Sequence, residues 1–225
     1  LNFREYLYLK YDINTPPGTS AAIKTLIFTG ETSQLEEKEN QIMTELLKLT
    51  NPLDKEWERY LSLGGFPLSL YLDDFDIQER TFNMVERVVE KDLSTIRSFR
   101  SQTRNVIFRI LMFLALQKPG EVSENKLANH LDVSSSLVKD ILHLLEKTHL
   151  IFHVAPFAGA GKTVRKSWKY YFLTPSIKSA INSKIGKNAL YNRELMGVLL
   201  ENLIASYLFK LKETTRRPEG IFYSP

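Results

Sequence analysis

Ser123 to Leu173 reads SENKLANHLDVSSSLVKDILHLLEKTHLIFHVAPFAGAGKTVRKSWKYYFL, and this stretch decides the fold. Ser123 suits a helix start, because a serine oxygen there accepts from an amide that has no partner inside the helix. The helix it opens, Glu124 to Leu131, keeps Leu127, Ala128 and Leu131 on one face. Asp132-Val133-Ser134 makes a short turn, and Ser134 caps a second helix whose inward stripe is Leu137, Val138, Ile141, Leu142 and Leu145. That spacing leaves Ser135, Ser136, Lys139 and His143 outside. After Leu150 the pattern turns β-like, with Ile151 to Phe157 as one strand, Ala158 to Thr163 as a glycine-containing tip, and Ser167 to Leu173 as the returning strand. Two capped helices, a short turn and a hairpin in this order predict a winged helix-turn-helix. Its wing carries Lys162, Arg165, Lys166 and Lys169 with no acidic residue among them.

Working upstream, Asn105 to Leu116 predicts a buried first helix through Val106, Ile107, Ile110, Leu111 and Leu114, ended by Pro119-Gly120. Asp76 and Glu79 have capping-box spacing and open a helix with an apolar stripe at Phe82, Val85, Val89, Leu93 and Ile96. Trp57, Tyr60 and Leu61 belong to a helix that Gly64-Gly65 stops with a left-handed cap, and Pro67 prevents its resumption. Gln34 to Leu49 packs one face through Leu35, Ile42, Leu46 and Leu49, with Glu36 to Glu39 solvated. Residues 1 to 30 read as a short helical piece, Leu1 to Lys10, then the turn chemistry of Asn14 to Gly18 within an irregular connection.

Downstream, helices are expected over Ser176 to Lys184 and Leu195 to Lys212, the latter burying Leu199, Leu200, Leu203, Ile204 and Tyr207. Gly220 to Tyr223 reads as a strand with no partner following it. The expected fold class is mainly α: a helical region over 1–100, a winged helix-turn-helix over 101–175, and the start of a third, α/β domain over 176–225.

The 225 residues contain no cysteine, which excludes a disulfide framework and fits a reducing cytoplasm. The longest apolar run, Ile110 to Leu116, falls far short of the ~20 residues a membrane helix needs, so no membrane partner is expected. Nothing marks a secretory signal, and Leu1 in place of Met suggests that the natural beginning lies upstream. A net charge of +4 favours a local basic patch over a generally polyanion-coating protein.

Several chemical motifs fail on inspection. Gly159-Ala160-Gly161-Lys162-Thr163 evokes a phosphate loop, but Pro156 stands where that loop needs its first glycine, and a strand follows instead of a helix. The four histidines, His130, His143, His149 and His153, sit on different elements without cysteine, against a zinc site. Asp73, Asp74 and Asp76 lack the glycine and distal glutamate of a calcium loop and suit a helix N-terminus. Glu201, in an apolar helix, is either solvent-facing or the first acidic member of a metal-dependent nuclease-like site. No catalytic, cofactor or metal residue is assigned.

With these residues in view, the chain resembles the AAA-superfamily ATPases of archaea and bacteria that join a P-loop core to a helical lid, a winged helix and a nuclease-like C-terminal domain. The resemblance rests on Leu1-Asn2-Phe3-Arg4-Glu5-Tyr6-Leu7, on Tyr60-Leu61 with Gly64-Gly65-Phe66-Pro67, and on Arg87-Val88-Val89-Glu90-Lys91-Asp92-Leu93. It continues through Lys126-Leu127-Ala128, Val133-Ser134, Leu144-Leu145-Glu146-Lys147-Thr148, Arg165-Lys166-Ser167 with Lys169-Tyr170-Tyr171-Phe172-Leu173, and Leu200-Glu201-Asn202-Leu203. The resemblance implies ATP and Mg for a parent protein; this sequence has neither Walker motif and should not hydrolyse ATP. It also implies that the region over 1–100 is lid-like and that residues 176–225 begin the nuclease-like domain, whose remaining acidic strand is absent.

The function expected is docking on duplex DNA, with Lys139, Lys162, Arg165, Lys166 and Lys169 on phosphates and Ser135, Ser136 and His143 nearest to base edges. The alternative is an interaction module in which the winged helix contacts the ATPase core or another subunit. A free-standing regulator leaves the N-terminal helices without purpose.

Overall fold

Two serine caps set the central part of the molecule. Ser123 accepts from the Lys126 amide at 3.4 Å and Ser134 from the Leu137 amide at 3.2 Å, so both short helices start where the sequence places them. Asp132 takes a left-handed conformation (φ 56°) between them and turns the chain sharply. The computed structural model of the protein describes residues 1–92, 101–117, 120–157, 168–187, 192–215 and 220–224. The predicted tip, Ala158 to Thr163 with Lys162, the predicted wing cations Arg165 and Lys166, and the predicted core positions Leu93 and Ile96 lie outside them.

The helices in chain order are α1 (Phe3–Tyr11), α2 (Thr19–Thr29), α3 (Ser33–Glu45), α4 (Leu53–Leu63) and α5 (Asp74–Arg87), the last running into a wider π-type turn at Val88–Asp92. Then come α6 (Ser101–Leu116), β1 (Glu121–Val122), α7 (Glu124–Leu131), α8 (Ser135–Lys147), β2 (Ile151–Pro156) and β3 (Trp168–Phe172). The chain ends with α9 (Pro175–Lys184), α10 (Arg193–Thr215) and β4 (Phe222–Tyr223). The fold is mainly α. Its small sheet has the order β1-β3-β2-β4, antiparallel except for β2 with β4.

The largest core gathers Phe82, Val85 and Val89 from the α5 side with Ile107, Ile110 and Leu111 of α6, Leu127 of α7, Ile141 of α8, Phe172 of β3 and Ile181 of α9. It crosses both boundaries drawn from the sequence, at 100 and at 175. Helix α9 explains why: every residue from Pro175 to Asn182 is buried. Lys178, 4% exposed, donates to the carbonyls of Leu114 at 3.0 Å and Gln117 at 2.8 Å, and Asn182 donates to that of Ala115 at 3.2 Å. One turn of α9 thus caps the C-terminal carbonyls of α6, which no helix satisfies internally. Burial of the ammonium pushes the Lys178 pKa down to about 8.

A second core forms around Tyr6, Leu7, Ile13, Tyr60, Leu61 and Leu203. Beside it Glu56, 1% exposed, accepts from Tyr6 Oη at 2.9 Å, Lys10 Nζ at 3.0 Å and Asn51 Nδ2 at 2.7 Å. Burial alone would raise its pKa, but the polar groups of Tyr11, Asn51, Lys10 and Tyr6, in that order of weight, overcome it and hold the carboxyl at about 2. Arg59 completes the network with a bond to Tyr6 Oη at 2.9 Å and a salt bridge to Asp74 at 3.0 Å.

Five local expectations are corrected. Residues 19–29 form α2 instead of an irregular connection, with Gly30 (φ 76°) as its left-handed end. The β-branched Ile23, Thr25, Ile27 and Thr29 weaken its helix signal, and only Ala22 of α2 is buried. The helix after residue 73 is capped by Asp73, which accepts from Asp76 at 2.8 Å, so Asp76 is already inside it. Gly64 is right-handed (φ −78°), so its role is space: a Cβ there would collide with Tyr60, and one on Gly65 with Thr174 and Ser176 at the start of α9.

On α10 the buried residues are Leu199, Asn202, Leu203, Ala205 and Ser206, whereas Leu200, Ile204 and Tyr207 are exposed. The helix is rotated from its most apolar face because β3 needs a polar partner there. Asn202 donates to the Phe172 carbonyl at 2.7 Å and accepts from the Phe172 amide at 3.0 Å, and Glu201 accepts from Tyr171 Oη at 2.9 Å. Finally β4 does have a partner, pairing Phe222 and Tyr223 with Ala155 and Pro156 of β2.

Candidate nucleic-acid interface

Helix α8 presents the outer face read from its sequence. Its apolar stripe, Val138, Ile141, Leu142, Leu144 and Leu145, is buried, so Ser136, Lys139 and His143 are turned to solvent and Ser135 is half-buried at the first turn. These positions recur at three- and four-residue spacing and therefore share a face. Lys147 is exposed one turn beyond His143 and prolongs the stripe; the same spacing could have identified it from sequence. The N-terminal end adds the partial positive charge of unpaired amides. The Ser134 hydroxyl is occupied in capping and lies 3.1 Å from Ser136 Oγ, which fixes the first-turn serine in place. Asp140 is also exposed on α8, but it is engaged in an interaction of its own.

The hairpin does not bring all its candidates to this face. Opposed residues of an antiparallel pair lie on the same side of a sheet, and successive residues alternate. Phe172 opposite Ile151 belongs to the core under α8, and Tyr170 opposite His153 packs against that core. Tyr171 opposite Phe152 and Lys169 opposite Val154 therefore face the other way, toward α10, in the cluster with Ala205 and Tyr223. Lys169 Nζ lies 4.8 Å from the centre of the Tyr223 ring, a cation–π contact. Lys169 is thus separated from Lys139 and His143 by the thickness of the sheet, which corrects its assignment to one basic surface. The remaining three cations, Lys162, Arg165 and Lys166, lie outside the described residues.

What ties α8 to the hairpin is a contact the sequence reading missed. Glu146, in the last turn of α8, is hydrogen-bonded to His153 Nδ1, and the imidazole stacks on Trp168 with ring centres 4.0 Å apart and 14° between planes. Burial first, then the carboxylates of Glu146 and Glu124, push the neighbouring Tyr170 phenol well above its ordinary range. The group orients the hairpin against the helix end.

Among the described residues no group of three His, Asp or Glu side chains could hold a metal ion. Glu201 is half-buried and accepts from Tyr171, which is a structural use, and with burial it raises the Tyr171 phenol. Asp73 caps α5, and Asp74 pairs with Arg59. No described helix is long and apolar enough to cross a membrane.

A family described as a domain of unknown function (DUF8612) matches residues 54–188. The chain is similar to the "Uncharacterized protein MJ1637" of Methanocaldococcus jannaschii, with 28% identity over 209 residues, covering 93% of this chain and 42% of that protein. The chain therefore spans about two fifths of the length of this curated relative. No solved structure matches.

Proposed function

Since the chain belongs to the DUF8612 family, whose description names no activity, we propose a function from its own surface: α8 docks on duplex DNA as the recognition helix of a winged helix-turn-helix. The observation that carries this reading is the exposed stripe of Ser136, Lys139, His143 and Lys147 on the second helix of a capped helix pair, with Ser135 at its entry. In such pairs the start of the second helix meets base edges while cations along it and on a neighbouring wing engage phosphates. Here Lys139 and Lys147 would engage the backbone with Lys162, Arg165 and Lys166 of the predicted wing, and the first-turn serines and His143 would stand nearest to the bases. Lys169, which faces Tyr223 on the other side of the sheet, is left out of this proposed set.

The same proposal places the chain in the C-terminal part of a prokaryotic AAA-type ATPase, on the strength of the motif order described above. ATP and Mg would then be bound by the motor core, and this chain would couple that core to DNA without catalysis of its own.

A titration of a short labelled duplex at several salt concentrations tests the docking. Micromolar binding that weakens steeply with salt is expected, and Lys139→Ala with Lys147→Ala should flatten the slope by about 1 for each phosphate no longer engaged. An absence of binding at low salt would overturn the proposal. The second reading, an interface with the ATPase core or another subunit, is favoured by Lys169 lying on the α10 side of the sheet and by exposed Leu200 and Ile204 on α10. Tight co-elution with the core without DNA binding would select it.

A further inference from the structure

Helix α5 divides its charges between two sides. On one side Glu79 pairs with Lys184 of α9, and Glu90 is engaged in an interaction of its own. On another, Arg80, Arg87 and Lys91 are exposed and form no ion pair or hydrogen bond among the described residues. They are seven and four residues apart, close to two helical turns and one, so they form a single row. With Asn83 they border a groove of about 610 Å³ whose apolar floor is Met84 and Val88 of the same helix segment and Leu68 from the 3-10 turn Pro67–Leu70.

The spacing decides what can lie there. At ~1.5 Å per residue the row from Arg80 to Lys91 spans ~16 Å along the helix, too far for all three cations to converge on one small anion. They match separate carboxylates repeated along another element. The floor adds a second requirement, because a nucleic-acid backbone would leave Leu68, Met84 and Val88 without apolar partners, whereas an amphipathic helix would cover them. Methionine suits such a surface, since its flexible side chain adapts to what packs on it.

We propose that this groove seats an acidic amphipathic helix of a partner protein, its carboxylates opposite Arg80, Arg87 and Lys91 and its apolar side chains on Leu68, Met84 and Val88. The site is separate from the α8 face and stands or falls without it. Charge complementarity of this kind sets orientation and speeds encounter, while the apolar floor supplies contact area.

The test uses fluorescence anisotropy of a labelled, amidated helical peptide of about 15 residues, with Glu at the four- and seven-residue spacings of the row and Leu between them. The whole chain is expected to bind it, more weakly as salt rises, and the same peptide with Gln for Glu should bind at least tenfold less tightly. Arg80→Glu with Arg87→Glu should also cost at least tenfold, and Arg80→Gln with Arg87→Gln an intermediate factor, with melting temperatures unchanged because both side chains are exposed. Three results would each overturn the proposal: no binding by the unaltered chain, equal binding by the charge-reversed variant, or a short duplex that competes for the groove and loses affinity on the same reversal.

Discussion

Replacing Asn202 by leucine isolates the contact that fixes α10 to the sheet. Strand β1 is only two residues long and covers Trp168 and Lys169, so the outer edge of β3 is open at Phe172. The inner edge is satisfied by β2: the Leu173 amide donates to the Leu150 carbonyl at 3.1 Å. Asn202, 2% exposed, closes the outer edge by serving the Phe172 amide and carbonyl together, as a neighbouring strand would. Asn202→Leu keeps the branching and the number of side-chain heavy atoms and is the bulkier of the two, so no cavity opens and any overpacking adds to the loss. It strands one donor and one acceptor in dry surroundings at about 1–3 kcal/mol each, which gives about 2–6 kcal/mol in all. A domain of this size is stable by only about 5–15 kcal/mol, so urea denaturation should shift markedly. The Phe172 amide should also lose most of its hydrogen-exchange protection. Asn202→Asp supplies the control: its carboxylate would face the Phe172 carbonyl, so its folded-state pKa lies above the ordinary ~3.9. Stability relative to the unaltered chain is then best below pH ~4, where the protonated acid can donate, and is lost as pH rises through the raised value. A loss under about 1 kcal/mol for leucine, with Phe172 protection intact, would refute the strand-mimic reasoning.

Two further perturbations test the buried charges. Glu56→Gln should destabilise by about 1–3 kcal/mol at neutral pH. Because Glu56 is held at about 2 against an ordinary 4.5, its contribution is full above pH 4.5 and fades as pH falls through 2, so the gap to the glutamine variant should narrow on acidification; a gap independent of pH would contradict this. Lys178 titrates at about 8 against an ordinary 10.5, so between those values the unfolded chain holds the proton that the folded chain has lost. Stability relative to Lys178→Met should therefore rise with pH across that window, and denaturation curves with a constant difference would show that the ammonium is not desolvated.

What could be read in the sequence was what local interactions decide. Ser123 and Ser134 cap the helices they precede because an N-cap needs nothing beyond its own first turn. The inward stripe of α8 followed for the same reason, its period being visible over thirteen residues. The misreadings came from partners distant in sequence. Nothing near Leu200 announces that Phe172, thirty positions away, needs Asn202, so the most apolar face of α10 looked like the buried one. The side on which Lys169 lies was legible in the sequence: if Tyr170 and Phe172 face the helices, the alternation of WKYYF sends Lys169 to the other face. Gly64-Gly65 ends α4 as its sequence indicates, but the reason Gly65 must lack a side chain, the approach of Thr174 and Ser176 at the start of α9, has no local signal.

Helix α9 also determines how the two proposed surfaces relate. Its Lys178 and Asn182 hold the end of α6, while Ser183 donates to Gln78 at 2.7 Å and Lys184 pairs with Glu79 on α5. Beneath them, residues from α5 through α9 share one core. The α5 groove and the α8 face are therefore presented by the same packed body. A ligand on one could alter the other only by favouring a different arrangement of that core. Such a change would have to move Val85, Ile107, Ile141 and Ile181 together, since close-packed interiors do not deform gradually. The packing thus argues that the two surfaces act side by side: an acidic helix in the groove would hold the α8 face in place for its target without changing that face's affinity.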